Sequence, residues 1–282
     1  MKETTALTDA TRRLLAAKLQ LPPIPWTHAR GSWVYDGAKR YLDAASGMIN
    51  VNIGHAHPAV AAAMSDQVRR GTFASPGALS GTLMDELAGQ VALAVHRPED
   101  RVMFTSSGTS GVEGAIAPAR LAHRSRGADG RRKVLTASLG YHGNSAFMLA
   151  LSGHRRRRPH PDDSFGLQPA FDAPYPGQHL DCPYETCQAE CAQGVRAAIE
   201  QAGPETVAAV LIETVNGTTG GGYVPPAGYP RVVREICAEY GVLVIHDEVL
   251  TGLGRTGLPL AAHHTPGSYA SHATVKRVDV AT

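Results

Sequence analysis

The chain has 282 residues, 43% of them hydrophobic, enough for one large or two modest globular domains with a substantial core. Lys and Arg number 27 against 25 Asp and Glu, a net charge of +2, which gives no general case for a nucleic-acid or membrane partner. No apolar run is long enough to span a bilayer, and the N-terminal MKETTALTDATRRLL lacks the apolar centre of a signal peptide, so a cytoplasmic protein is expected.

In chain order, a polar helix is expected over 8–19, followed by an extended connector at PPIPW, 22–26. GSWVYDGAKRYLDAASG reads as a hairpin: Trp33, Val34 and Tyr35 turn through Asp36 and Gly37 into Tyr41 and Leu42. HPAVAAAMSDQVRRG opens a helix on Pro58, where a missing N–H costs nothing, and closes it at Gly71. A second helix follows near 80–96. From residue 101 short apolar runs alternate with helical stretches. RVMFTSS, KVLTAS, VAAVLIE and VLVIHDE are the expected strands, which predicts an α/β fold with a mostly parallel sheet and helices on both faces.

Residues 153–187, rich in Pro, Arg, Asp and Gly, form an irregular surface excursion in this reading. Its HRRRRPH run is either a solvated loop or a patch for an anionic partner. Cys182, Cys187 and Cys191 have spacings that match no common zinc pattern, and a reduced loop is expected there.

The chemistry-bearing residues gather at predicted strand ends. VLVI ends in Asp247 and Glu248, at the sheet edge where α/β proteins bind ligands; solvated acids at a strand end are the plainer reading. FTSSGTSG opens a helix on Ser107, Gly108 and Thr109, whose N–H groups and hydroxyls suit a phosphate or, equally, ordinary helix capping. Pro118 is expected to kink or shorten that helix. LGYHGNS places Tyr141 and His142 after KVLTAS, either to stack on and hold a planar ligand or to pack in a turn. Glu213 ends VAAVLI. The convergence of these groups on one edge outweighs any single motif.

The ordered set S-G-T with Glu113 beyond it, Y-H-G, Glu213 before the glycine-rich loop, and DEVLTGLGRTG at 247–257 resembles the class III aminotransferases, pyridoxal-phosphate enzymes of fold type I. YLDAASG and NIGHAHPAV, within 41–60, extend the likeness. It implies that pyridoxal 5'-phosphate sits with its phosphate on Ser107, Gly108 and Thr109, its ring under Tyr141, near His142, and its ring nitrogen on Asp247. A carboxylate there keeps that nitrogen protonated, so that the ring withdraws the electrons left by a broken Cα–H bond. Val249 would pack under the ring, and Glu213 would lie toward the substrate, an amino donor or a 2-oxo acid acceptor.

The same resemblance implies a lysine that bonds the cofactor and shuttles a proton. Lys276, 29 residues after Asp247, has the family's spacing, but it is followed by Arg277, Val278 and Asp279 instead of glycines. An exposed lysine in a frayed tail is the plainer reading. The expected organisation is a small-domain segment over 1–57 and an incomplete cofactor-binding large domain over 58–282, with a divergent tail from 265 and no C-terminal domain. Transamination, in a homodimer and impaired by truncation, is the leading expectation. A non-catalytic homologue that keeps the pocket or only the fold is the competing one, and a nucleotide-binding α/β protein leaves Asp247 and Glu213 unexplained.

Overall fold

A computed structural model describes residues 24–75, 78–79, 82–95, 100–154, 167, 169–172, 188–226, 228–265 and 267. The helix expected over 8–19, most of the 153–187 excursion, the arginine run 155–158, Cys182, Cys187 and Lys276 lie outside them. Contact density divides the chain into two units, Met1–Ser80 and Gly81–Thr282.

In the first unit, β1 (His28–Arg30), β2 (Trp33–Tyr35) and β3 (Arg40–Leu42) form an antiparallel meander. Trp33 pairs with Leu42 and Tyr35 with Arg40, as the hairpin reading requires. Asp36 fixes the turn: its carboxylate accepts from the N–H groups of Ala38 and Lys39 and from the Tyr41 hydroxyl. The added strand β1 was not visible in the sequence pattern, because three residues carry no periodicity. Helix α1 (Pro58–Arg70) starts on its proline and is closed by Gly71, as expected.

In the second unit, α2 (Leu83–Ala94) opens with a Thr82–Asp85 capping box. α3 (Gly108–Arg124), β4 (Lys133–Thr136), α4 (Ala146–Leu151), α5 (Gln188–Ala202), β5 (Val207–Glu213), α6 (Tyr229–Glu239) and β6 (Leu243–Asp247) follow. The strands form a parallel sheet in the order β4-β5-β6. Strand alternation divides the apolar residues between two layers. Val210, Ile212 and Val244 pack with Val195 and Ile199 of α5 and Val233 and Ile236 of α6. Ala209, Leu211, Leu243 and Ile245 pack with Val112, Ile116 and Ala119 of α3 and Met148 and Leu151 of α4. Each of the larger side chains stabilises the fold by about 1.5–3 kcal/mol through burial. This is the expected α/β fold, a parallel sheet covered on both faces.

Three expectations need correction. RVMFTSS forms no strand: residues 101–105 belong to no regular element, and Met103 and Phe104 are exposed. An extended segment needs a neighbour to take its N–H and C=O groups, and no strand adjoins it among the described residues. Pro118 does not end α3, which continues for six more residues to Arg124, since the buried face carried by Val112, Ile116 and Ala119 holds the helix to the sheet. Cys191 is disulfide-bonded, not a reduced thiol. Helices α4 and α5 were not predicted. For α5 the signal existed, with Cys191, Val195 and Ile199 at helical spacing. Among the described residues no helix is long and apolar enough to cross a membrane.

Candidate active site

Parallel pairing sets the centre of the site. Glu213 and Asp247 end adjacent strands in direct register, which brings two carboxylates side by side at the carboxyl edge of the sheet. Their surroundings keep them apart in character. Asp247 is buried, and its Oδ2 lies 2.8 Å from His142 Nδ1 while its Oδ1 accepts from the Val249 N–H at 3.1 Å. With a carboxylate facing it, Nδ1 carries the hydrogen. Burial alone would lower the His142 pKa, but the hydrogen bond and charge of Asp247, helped by the charge of Glu213, outweigh it and raise the pKa above its usual value. Asp247 therefore favours the protonated form of the His142 ring.

Glu213 accepts from the N–H groups of Tyr141 (2.9 Å) and Gly217 (2.7 Å) and from Asn216 Nδ2 (3.3 Å). Burial, reinforced by the negative charge of Asp247, pushes its pKa up to about 7 even though His142 and these donors favour the ionised form. Its partners among the described residues are donors from two loops, those after β4 and β5. Glu213 thus pins the Tyr141 and Gly217 backbones to one strand end. The Tyr141 ring lies edge-on to His154, with centroids 5.8 Å apart.

The helix side of the site is built by close approach. Ser107 caps α3 by accepting from Ser110 N, and Ser110 returns the bond to Ser107 N, so the Ser107 hydroxyl is committed to the helix end. The N–H groups of Gly108 and Thr109, at the first turn, have no acceptor among the described residues. Gly108 lies against Val249: a Cβ there would come within 2.7 Å of Val249 Cγ1. Thr109 holds the following loop, exchanging hydrogen bonds with Asn144 and abutting Gly143, where a Cβ would meet Thr109 Oγ1 at 2.7 Å. A continuous chain of contacts thus runs from Thr109 and Gly108 through Val249, Asp247 and His142 to Tyr141 and Glu213. Seven of the residues predicted from sequence meet in it, Ser107 caps the same helix, and Lys276 lies outside the described residues.

Glu248, the second acid of the DEVL stretch, faces inward instead. It is fully buried and accepts from the hydroxyls of Thr214 (3.1 Å) and Thr251 and from the N–H groups of Ala261 (3.0 Å) and Ala262 (2.9 Å). It ties the loop after β6 to itself. Strand pattern alone could not separate it from Asp247, since adjacent residues at a strand end differ only in the side to which they point; the family resemblance had singled out Asp247.

A pyridoxal phosphate fits these groups: open N–H donors at the amino end of α3 suit a phosphate, Tyr141 and Val249 offer an aromatic and an aliphatic surface, and Asp247 is a buried acceptor. A model of the aminotransferase class III family matches residues 15–271. The chain belongs to the class III aminotransferases. That family depends on pyridoxal phosphate. An acetylornithine aminotransferase of Mycolicibacterium smegmatis is 34% identical over 252 residues, which cover 86% of this chain and 55% of that protein. Among solved structures, an (S)-enantioselective omega-transaminase from Thermomicrobium roseum matches at 32% identity and a TM-score of 0.80, over 93% of this chain and 60% of the other. An amine transaminase from an uncultivated Pseudomonas species, in its PLP-bound form, matches at 28% identity and a TM-score of 0.76, over 88% and 58%. The chain spans about half the length of the curated relatives it matches. The match to this class III family stops at residue 271, short of Lys276.

Proposed function

We propose that the chain binds pyridoxal 5'-phosphate at the carboxyl edge of its sheet and serves transamination between an amine or ω-amino acid and a 2-oxo acid. The single observation that carries this reading is the buried Asp247–His142 pair at the foot of the Gly108–Thr109 helix end. In this reading the N–H groups of Gly108 and Thr109 hold the phosphate, the Tyr141 ring covers one face of the cofactor and Val249 the other. Asp247 holds a proton on the ring nitrogen, and the hydrogen bond from His142 Nδ1 orients Asp247 for that task. What pyridoxal phosphate supplies when bound is an electron-withdrawing ring that stabilises charge left on a substrate carbon. Lys276 is the proposed proton carrier, on its spacing from Asp247.

The relatives named above differ in substrate, one named for acetylornithine and others as omega or amine transaminases, so the proposal stays at the level of amine or ω-amino acid. A homodimer is the proposed assembly and the cytoplasm the proposed location. A second reading, a cofactor-binding homologue without catalysis, is favoured by the family match that ends before Lys276.

The test is to add pyridoxal phosphate to the purified chain, record its visible absorbance, reduce with borohydride, and map the labelled peptide. Saturable binding with label on Lys276, and amino transfer from an ω-amine to pyruvate that is lost in Lys276→Ala, supports the enzyme. Saturable binding with no labelled lysine and no transfer leaves the second reading. Failure of Asp247→Ala to weaken binding overturns the site itself.

A further inference from the structure

Beside the Asp247–His142 pair lies a small cleft, lined among others by Gly140, His142, Glu213, Asn216, Tyr223 and Tyr229. Among the described residues, Nε2 of His142 and the hydroxyl of Tyr229 are buried there without a hydrogen-bond partner. Both residues are about 2% exposed. They belong to distant parts of the chain, the loop after β4 and the first residue of α6, yet face one space. Gly140 keeps that space open, since a Cβ there would stand 2.9 Å from His142 Nε2.

Buried polar groups are almost always paired, and where two donors line one cleft a bridging water is a common solution. With Nδ1 committed to Asp247, the imidazolium has one hydrogen left, on Nε2, pointing away from the carboxylate. The Tyr229 hydroxyl is a second donor, held protonated because burial pushes its pKa well above that of free tyrosine, with the charges of Cys237 and Tyr223 adding to the effect. A single water has two lone pairs for these two donors. It also has two hydrogens for an acceptor, and Glu213, which lines the same cleft, has an Oε2 with one protein donor, the Gly217 N–H.

We propose that the cleft binds a water that accepts from His142 Nε2–H and from Tyr229 Oη–H and donates to Glu213, making Tyr229 a positioning residue for the His142–Asp247 pair. The inference rests on the role given to that pair above, but the water site itself does not depend on any cofactor. The titratable groups around His142 and its cleft are Asp247 from the end of β6, Glu213 from the end of β5, Tyr223 from the loop after β5 and Tyr229 from α6.

The experiment is nitrogen-15 and proton NMR of the His142 side chain in the cofactor-free full chain, compared with Tyr229→Phe. The phenylalanine keeps the ring that packs under α6 and removes only the donor. The expected result is an Nε2–H resonance in the parent that shows a cross-peak to bound water, and whose exchange with solvent is roughly 3- to 10-fold faster in the variant, the factor corresponding to one lost hydrogen bond. The His142 titration moves to lower pH in the variant, because the imidazolium has lost support. Identical exchange and titration in the two proteins overturn the proposal, as does a parent Nε2–H that shows no contact with water. If Tyr229→Phe fails to fold, the water contact in the parent decides alone. Because these readouts are taken without pyridoxal phosphate, failure of cofactor binding would leave them interpretable, and their failure would leave the cofactor site standing.

Discussion

Gly108 and Val249 show how a single residue can set the shape of the site. Alanine at 108 would push its Cβ to 2.7 Å from Val249 Cγ1, so one side must move. Gly108→Ala is expected to destabilise the cofactor-free fold by about 1–3 kcal/mol, the usual cost of overpacking. Adding Val249→Ala, which removes the obstructing methyls, should recover most of the overpacking loss relative to Val249→Ala alone; urea unfolding of the two that shows the full loss would refute the contact. Glu248 has a different role. Its carboxylate is the shared acceptor for four donors, so Glu248→Ala is expected to destabilise the fold by about 3 kcal/mol or more, read as a lower urea midpoint. An unchanged midpoint would show that the loop after β6 holds without it.

At the scale of elements, α3 has a local fault that its packing overrides. Pro118 cannot donate to the Gly114 carbonyl, four residues earlier, yet the helix continues because its apolar side lies on the sheet. Pro118 is exposed, so Pro118→Ala restores that bond without disturbing the core. The variant is expected to be more stable by about 1–3 kcal/mol, measurable by denaturant unfolding. A destabilised variant would mean that the proline fits a bend which alanine does not. The element is also where sequence reading was weakest. RVMFTSS has a strand's composition and no strand's neighbour, whereas the short α4 had no composition of its own to announce it.

For the whole molecule, the paired acids at the sheet edge link stability to pH. The folded Glu213 pKa of about 7 exceeds its ordinary 4.5, so the folded chain holds that proton more tightly than the unfolded one. The resulting stability is fully present below about pH 4.5 and is lost as the pH rises toward 7. Glu213→Gln cannot ionise, so its melting temperature relative to the parent should climb between pH 4.5 and 7. A constant difference across that range would show that Glu213 titrates normally. Both units also expose large apolar side chains, Met64, Val68 and Phe73 in the first and Met103, Leu121 and Leu253 in the second. Where such side chains form a contiguous patch they favour association. Light scattering is expected to report a dimer or larger species, and a monomer at micromolar concentration would contradict that.

The sequence by itself determined the parallel sheet, the hairpin and the family, because each is written in local terms: unalternating apolar runs, an Asp-Gly turn and an ordered series of short motifs. It also placed Gly108, Thr109, Tyr141, Glu213 and Asp247 toward one sheet edge, since strand ends and helix starts can be read from where those runs stop. Only the tertiary structure showed what the neighbouring Glu248 does, turned inward to hold the loop after β6. It also showed that the Ser107 hydroxyl is spent on its own helix, and that Tyr229, nearly ninety residues beyond His142, shares a cleft with it. The physical reason is the same in each case: side-chain direction, register and the meeting of distant segments are fixed by packing between elements, which no single stretch of sequence contains.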